Sequence, residues 1–408
     1  MKAFLYKIKG AFALAVAMSL FCPQVFAVEG PSVEEPQTVE ETTAETVEET
    51  AAEAVEETLP TLTFEEALKL AKKNSAALRA VEDQAELLHE TRKDLQDMGV
   101  SLSNPTYDYK KWVNDMWYTL TAGVFQVNMG MESNKISREV ENLTLEVSVR
   151  SFFTSLADDQ ATLDVMKKNA DIQQKLYVQG QTKRRLGMIS KYELDQLKIN
   201  VDQARSTVSI LEAALEQNYI KFNQLIGGNP ADRYELVYDL NFEPYVMTQT
   251  MEQYINDKIN NDDLAIKGME LAVENAKFNM NYLSESDAGT NADQREFNYD
   301  SAKRDLKTAK LNKETLIRNT YLQIQQLESQ YASAQADVTK AAADYRVAQI
   351  NYQAGNVTKT TVELAELGLL QAENALKQLV YSHDLLVFTF ENPTLLADTT
   401  AAASGASY

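Results

Sequence analysis

Few residues of this chain are of a type that carries out covalent or metal chemistry. The 408 residues include two histidines, His89 and His383, and a single cysteine, Cys22. His383 lies on an apolar helical stripe, where a packed histidine is expected, and His89 lies among polar residues, which is a weak metal signal. The sequence has no glycine-rich phosphate loop, serine-nucleophile elbow or paired metal-ligand spacing. We therefore expect neither enzymatic activity nor a cofactor.

A phrase of a different kind occurs twice, at a shift of 168 residues, so that Gly187 corresponds to Gly355 and Ser190 to Thr358. Glycine takes the left-handed conformation that ends many helices. Ser190 and Thr358 are suitable N-caps for a following helix, and Glu193 stands three residues after Ser190, as in a capping box. Each phrase predicts the tip of an antiparallel helical hairpin. The plainer alternative is that each tip is only a turn.

The elements that position these tips are predicted to be long helices. Proline is absent between Thr106 and Asn229 and between Tyr245 and Asn392, and proline is poorly tolerated inside helices. Apolar residues after each tip follow the alternating three- and four-residue spacing of a coiled coil. The incoming helices are predicted at about 136–184 and 298–352, which corresponds to rods of roughly 70–85 Å. Two halves built alike indicate an internal duplication.

The N-terminal region has a separate organisation. Residues 1–27 have the basic start, short apolar core and small-residue end of a signal peptide. The alternative to cleavage after Ala27 is lipidation at Cys22. Residues 28–58 contain eleven glutamates and no basic residue, which predicts a disordered acidic linker, or alternatively a cation-binding or wall-spanning tether. Residues 397–408 are expected to form a flexible tail.

The net charge of the chain is −21. A nucleic-acid partner requires a basic face to neutralise its phosphates, so the charge argues against that class of partner. The signal peptide, for its part, predicts an exported protein.

The two tip phrases, "RRLGMISKYELDQLKINVDQARSTV" and "YQAGNVTKTTVELAELGLLQAENAL", resemble the tips of the TolC family of outer-membrane efflux proteins. The opening helix "LTFEEALKLAKKNSAAL" is also similar to that family, and the resemblance covers about residues 60–395. It implies a homotrimer that forms a twelve-helix tube. The tips would dock onto a periplasmic adaptor of an inner-membrane pump, through five residues: Arg185, Gly187, Ser190, Gly355 and Thr358.

The same resemblance implies a pore constriction near the second tip. The segment "VELAE" at 362–366 matches the family phrase that carries an acidic ring, which places carboxylates at Glu363 and Glu366. Residues spaced i and i+3 share one helix face, and three copies around an axis would favour cations. The alternative is an ordinary solvated face.

The chain departs from the family between the helices of each half. The segment 105–132 has a weak alternation, with Phe125, Val127, Met129 and Met131 separated by polar residues or glycine, and Trp112, Trp117 and Tyr118 nearby. It is compatible with a membrane strand, or with an aromatic cluster that covers the end of a helix pair. The second half offers no strand. We expect an all-α fold of two tandem hairpin repeats, about 59–230 and 245–396, within a domain 59–396, with little or no β-barrel.

The function expected from these features is that of an exit duct in a tripartite export system, at the cell outer membrane or in the periplasm. The alternative is an exported coiled-coil spacer or scaffold of the cell envelope without a pore.

Overall fold

Two halves with the same order of helices make up the part of the chain that this computed structural model describes, residues 59–102, 110–238, 240–281 and 292–396. The predicted signal peptide with Cys22, the acidic linker 28–58 and the tail 397–408 lie outside these ranges. The first half consists of β1 (Thr61–Thr63), α1 (Phe64–Asn74), α2 (Ala76–Leu102), α3 (Lys110–Arg185) and α4 (Lys191–Ile226). The second half consists of β2 (Glu235–Val237), α5 (Met251–Asp257), a π-helical turn (Lys258–Asp262), α6 (Leu264–Asn281), α7 (Ala292–Gln353), α8 (Lys359–Glu391) and a 3-10 turn (Pro393–Leu395).

Short polar side chains start the first helices of each half. Thr63 and Glu66 form a capping box at the start of α1. Ser75 leaves the helical conformation, and its hydroxyl accepts a hydrogen bond from the Leu78 amide at 3.1 Å, so α2 starts afresh. In the second half Asp263 has the same role, because its carboxylate accepts from the amides of Ala265 and Ile266 at 2.9 and 3.3 Å. Each half thus begins with a short helix that is separated from the next by a capping residue.

The long helices α3 and α7 begin earlier than the sequence predicted. With 76 and 62 residues, they extend about 110 and 90 Å at 1.5 Å per residue. The N-terminal part of α3 packs against α2, where a Cβ on Gly130 would lie 3.1 Å from Leu88, and its C-terminal part packs against α4. Helix α7 likewise packs against α6 and then α8. Within the described ranges, no helix combines the length and the apolar character needed to cross a lipid bilayer.

Each half has its own apolar core at the end of the hairpin away from the tip. In the first half Phe153 of α3 and Phe222 of α4 are fully buried and meet edge to face at 5.6 Å. In the second half Phe390 of α8 is fully buried and stacks on Tyr254 of α5 at 4.7 Å. Burial of each such aromatic side chain stabilises the fold by about 1.5–3 kcal/mol.

Within the described residues, the two halves are joined at three main places besides the linker between them, one of which is the contact of the N-terminal part of α3 with α6. Strand β1 pairs in parallel with β2, with Leu62 opposite Leu236. Helix α3 of the first half packs along α8 of the second. The order of helices and the pairing of the hairpins confirm the predicted all-α duplicated fold.

The segment that suggested a membrane strand is helical wherever it is described. Residues 110–132 belong to α3, and the alternating Phe125 and Val127 lie on a continuous helix. Phe125 stacks on Phe278 of α6 with ring centroids 3.8 Å apart, and Gln126 donates to Asn275 at 2.9 Å. For Trp112, Trp117 and Tyr118 the structure describes the backbone but not the side chains. The side chains of Phe125 and Gln126 contact α6, and contacts of this kind favour a helix over a strand. The alternation of apolar and polar residues in the sequence does not reveal such contacts.

Candidate functional site: the two hairpin tips and the α3–α8 seam

The first tip is a compact glycine-ended turn. Gly187 has φ of +72°, in the left-handed region. Its amide donates to the Arg184 carbonyl at 3.0 Å, and the Met188 amide donates to the Lys183 carbonyl at 2.9 Å. This pair of hydrogen bonds is the Schellman motif, which satisfies the last carbonyls of a helix and favours glycine at the left-handed position. The predicted role of Gly187 as a helix end is confirmed.

Helix α4 restarts at once through a capping box. The Ser190 hydroxyl accepts from the Glu193 amide at 3.1 Å, and the Ser190 amide donates to the Glu193 carboxylate at 2.6 Å. These hydrogen bonds lower the pKa of Glu193 below its usual value, because they favour the charged carboxylate. The sequence prediction of this cap is confirmed.

Arginine side chains brace the same turn. The Arg184 guanidinium donates to the Ile189 carbonyl at 3.1 Å, across the turn. Arg185, which the resemblance assigned to docking, donates to the Thr182 hydroxyl at 3.3 Å on its own helix and is otherwise exposed. The bracing role of Arg184 was not predicted, since an Arg-Arg pair carries no signal that distinguishes its members.

The second tip has the same backbone. Gly355 has φ of +76°, its amide donates to the Tyr352 carbonyl at 2.9 Å, and the Asn356 amide donates to the Asn351 carbonyl at 2.8 Å. Thr358 caps α8, with its hydroxyl 3.4 Å from the Thr361 amide. A threonine occupies the third position where the first tip has glutamate, so the reciprocal bond of a capping box is missing from this tip.

Both tip glycines face open space. A Cβ built on Gly187 or Gly355 would meet no atom within 4 Å. Glycine is therefore favoured at these positions by the left-handed conformation of the turn, and not by close packing against a neighbour.

The two glutamates of the predicted constriction lie together on α8, on the face that meets α3. Glu363 forms an ion pair with Lys175 at 2.8 Å, and Glu366 forms one with Lys168. The Glu363 side chain is 15 % exposed, and one of its oxygens is buried without a hydrogen-bond partner. The hydrogen bond with Glu363 raises the pKa of Lys175. The common face agrees with the i, i+3 spacing, and the constriction role stays a prediction.

Further polar contacts continue along the α3–α8 seam, by which we mean the interface between these two helices. Gln179 donates to the Thr360 hydroxyl at 2.7 Å near the tips, and Asn374 donates to Thr162 at 3.0 Å. A small apolar cluster around Ile172 and Leu367 lies between these polar contacts. The two hairpins are thus joined by hydrogen bonds and ion pairs as well as by apolar packing.

At its far end from the tips the seam is anchored by a half-buried arginine. Arg150 donates to both oxygens of Asp384, at 2.7 and 3.0 Å, and to the Tyr238 hydroxyl at 2.9 Å. Its guanidinium also lies over the rings of Phe64 and Phe388, at 5.1 and 4.5 Å. Burial, followed by the charge of Asp384, raises the pKa of Tyr238. No spacing in the sequence predicts this cluster, because its members come from distant parts of the chain.

The two histidines lie in different surroundings. His383 is buried, as predicted, with its ring 4.8 Å from that of Phe242 and its Nε2 3.4 Å from the Glu328 carboxylate. His89 is exposed on α2. Among the described residues, no group of three or more His, Cys, Asp and Glu side chains is placed to hold a metal ion.

Comparison with known proteins gives a likeness of structure alone. No family model and no curated protein sequence matches the chain. The outer-membrane channel CmeC of Campylobacter jejuni superposes with a TM-score of 0.61 at 14% identity, over 90% of this chain and 97% of that one. The outer membrane protein VceC of Vibrio cholerae gives 0.56 at 12% identity, over 81% and 96%.

The open state of the MtrE outer-membrane channel of Neisseria gonorrhoeae gives a TM-score of 0.57 at 12% identity, over 82% of this chain and 90% of that one. The likeness therefore extends along most of the chain in each case. The chain has the TolC-like fold that these outer-membrane channels share.

Proposed function

We propose that the chain is the exit duct of an export system in the cell envelope, at the outer membrane or in the periplasm, and that it is not an enzyme. Three copies would enclose a helical tube, and the hairpin tips would dock onto a periplasmic adaptor that belongs to an inner-membrane pump. The observation that carries this proposal is the pair of matching, open, glycine-ended tips in a fold shared with outer-membrane channels.

Exposed aliphatic side chains support the assembly of several copies. Ile210 of α4 and Leu322, Val347 and Ile350 of α7 are all more than half exposed in the single chain. Large aliphatic residues repeated along long helices favour burial against another helix. Contact between neighbouring copies would cover them.

The glutamates near the second tip would line the narrow part of the tube. Glu363 and Glu366 bring two carboxylates per copy, and Lys168 and Lys175 balance part of their charge. A ring of this composition would favour cations less strongly than a ring of unpaired carboxylates.

The test is the oligomeric state and conductance of the mature protein purified in detergent. We expect a trimer by native mass spectrometry, with a central opening in electron micrographs, and stepwise conductance after reconstitution into a planar bilayer. A monomeric or dimeric solid bundle without conductance would contradict the duct and favour the alternative, an envelope spacer or scaffold.

A further inference from the structure

The two tips share a backbone but differ in their surfaces. At the first tip Leu186, Met188 and Tyr192 are 69 %, 68 % and 71 % exposed. At the equivalent residues of the second tip, 351–360, the exposed large apolar side chain is Tyr352, at 46 %, and the exposed Val347 and Ile350 lie further back on α7. Side chains this exposed bury little surface within a single chain, and tyrosine and methionine are enriched at the centres of interfaces.

Charge distinguishes the tips as well. Lys183, Arg184, Arg185 and Lys191 surround the first turn, and residues 172–192 contain no acidic residue. In the second tip the residues equivalent to 183–191, which are 351–359, contain one charged residue, Lys359. Basic residues at the end of a helix interact favourably with its dipole, but α7 ends without any in its last turn. The fold therefore does not require them, and in a chain of net charge −21 this local basic cluster is unusual.

A groove lies directly behind the first tip, between α3 and α4. Its volume is about 340 Å³, and Leu176, Ile189 and Leu197 contribute apolar walls, with Lys183 and Glu193 also lining it. Gly180 lets Leu197 pack closely against α3 at the floor of the groove, because a Cβ there would lie 2.5 Å from the end of the Leu197 side chain. The groove is large enough to accept one or two aliphatic side chains of a partner.

We infer that the first tip, and not the second, supplies the side-chain recognition of the docking partner, and that the partner's contact surface is apolar and flanked by acidic residues. This inference rests on the proposed docking function and adds to it which tip selects the partner and by what chemistry. The exposed Leu186, Met188 and Tyr192 provide the apolar contact area, and the surrounding basic residues provide charge complementarity. The second tip contributes the shape of its turn to the contact, and few side chains that distinguish one partner from another.

Site-specific photocrosslinking in producing cells tests the inference on the full chain. Benzoylphenylalanine replaces Met188 or Tyr192 at the first tip, and Tyr352 or Asn356 at the second. Crosslinked peptides are then identified by mass spectrometry. We expect crosslinks from the first tip to exceed those from the second at least about fivefold, as for a few residues that dominate an interface, and to map to a peptide that contains aliphatic and acidic residues.

Charge reversal tests the electrostatic part. The variant Lys183→Glu/Lys191→Glu should reduce the crosslink yield from position 188 about tenfold, because like charges would then face each other across the interface. The matched control, Lys307→Glu/Lys340→Glu, changes the net charge equally at exposed positions of α7 and should leave the yield unchanged.

The outcomes separate this inference from the docking function. Equal crosslinking from both tips would overturn the inference and leave docking intact. A captured peptide without acidic residues, a second copy of this chain, or a yield unaffected by the reversal at the first tip would overturn the partner chemistry. Absence of crosslinks from both tips would overturn docking and the inference together.

Discussion

In the part of the chain that the structure describes, three helices end in the same left-handed glycine, but the surroundings of these glycines differ. Gly187 and Gly355 at the tips, with φ of +72° and +76°, have no atom within 4 Å of a built Cβ. Gly227, which ends α4 at the far end of the hairpin, has φ of +74°, and its Cβ would lie 2.5 Å from the Asn74 side chain. The same glycine conformation therefore occurs in a closely packed corner at Gly227 and on an open surface at Gly187 and Gly355. Because no neighbouring side chain covers the two tip glycines, the turns that contain them are available for contact with a partner.

The largest effect on stability is expected at the packed corner. Gly227→Ala should lower the free energy of unfolding by about 3 kcal/mol, since left-handed strain costs about 1–2 kcal/mol and overpacking about 1–3 kcal/mol. The Asn74 amide, which donates to the Ile226 carbonyl at 2.6 Å, would also be displaced. Denaturation by urea, followed by circular dichroism, measures the change, with Gly187→Ala as the matched variant at a tip.

A double-mutant cycle separates strain from packing. If the Asn74 contact causes part of the loss, Asn74→Ala should make Gly227→Ala less costly than the sum of the two single changes. An equal cost of alanine at positions 227 and 187 would contradict the contrast between corner and tip.

At the tips the larger effect should fall on function. Gly187→Leu/Gly355→Leu is expected to leave the helix content nearly intact, with left-handed strain of about 1–2 kcal/mol at each site, because the added side chains meet open space. The leucines would, however, alter the turn surface that the adaptor meets, so export by cells carrying the pump should fall. A loss of about 1.4 kcal/mol in docking would weaken it about tenfold.

Gly268→Leu in α6 is the matched control, because its built Cβ also meets no atom within 4 Å. It should leave export at the level of the unaltered chain. Unchanged export in the double tip variant, at equal protein abundance, would count against docking through the tips.

The constriction glutamates give a smaller expected effect. Glu363→Ala/Glu366→Ala should reduce the preference of the channel for cations, and Lys168→Ala/Lys175→Ala should increase it, because each change leaves one side of the ion pairs uncompensated. Both changes are expected to be about twofold in the permeability ratio, because each pair has a partner that is more than a third exposed, Lys175 at 52 % and Glu366 at 36 %, so water screens its charge. Reversal potentials in a salt gradient measure the ratio. If neither variant changes it, the pairs only join α3 to α8.

The features that the sequence predicted are those with local signals. Gly187 and Gly355 follow from the demands of a helix end, and the Ser190–Glu193 capping box from a spacing of three residues. Helix α3 was predicted to start near 136, although it begins at Lys110. Its early residues read locally as an alternating segment, and packing of Gly130 and Phe125 on neighbouring helices makes them helical.

Contacts between the halves were beyond prediction for a related reason. The partners of Glu363 and Glu366 are lysines on another helix, almost two hundred residues away, and no spacing in the sequence connects them. The Arg150–Asp384 pair is separated by 234 residues. The shared face of the glutamates could be predicted from helix geometry, but their ion pairs depend on how two hairpins pack.

The smallest expected difference is between the N-caps of α4 and α8, which start equivalent helices after equivalent turns. Ser190→Ala should cost about 1 kcal/mol. Thr358→Ala should cost about half as much, since its hydroxyl is 3.4 Å from the Thr361 amide and no capping box supports it. Hydrogen exchange of the first amides of α4 and α8 measures both losses locally, where a change in global stability would be harder to resolve.

The pH dependence identifies the cause of that difference. Bonding to Ser190 lowers the pKa of Glu193 from its ordinary 4.5, so this stabilisation is fully present above pH 4.5 and is lost as the pH falls through the lowered value. The extra cost of Ser190→Ala over Thr358→Ala should therefore shrink in acid. An unchanged difference at low pH would mean that the Glu193 carboxylate does not hold the first tip. If the difference does shrink, the first tip is held more firmly than the second by a carboxylate, which suits a turn that must present its side chains to a partner.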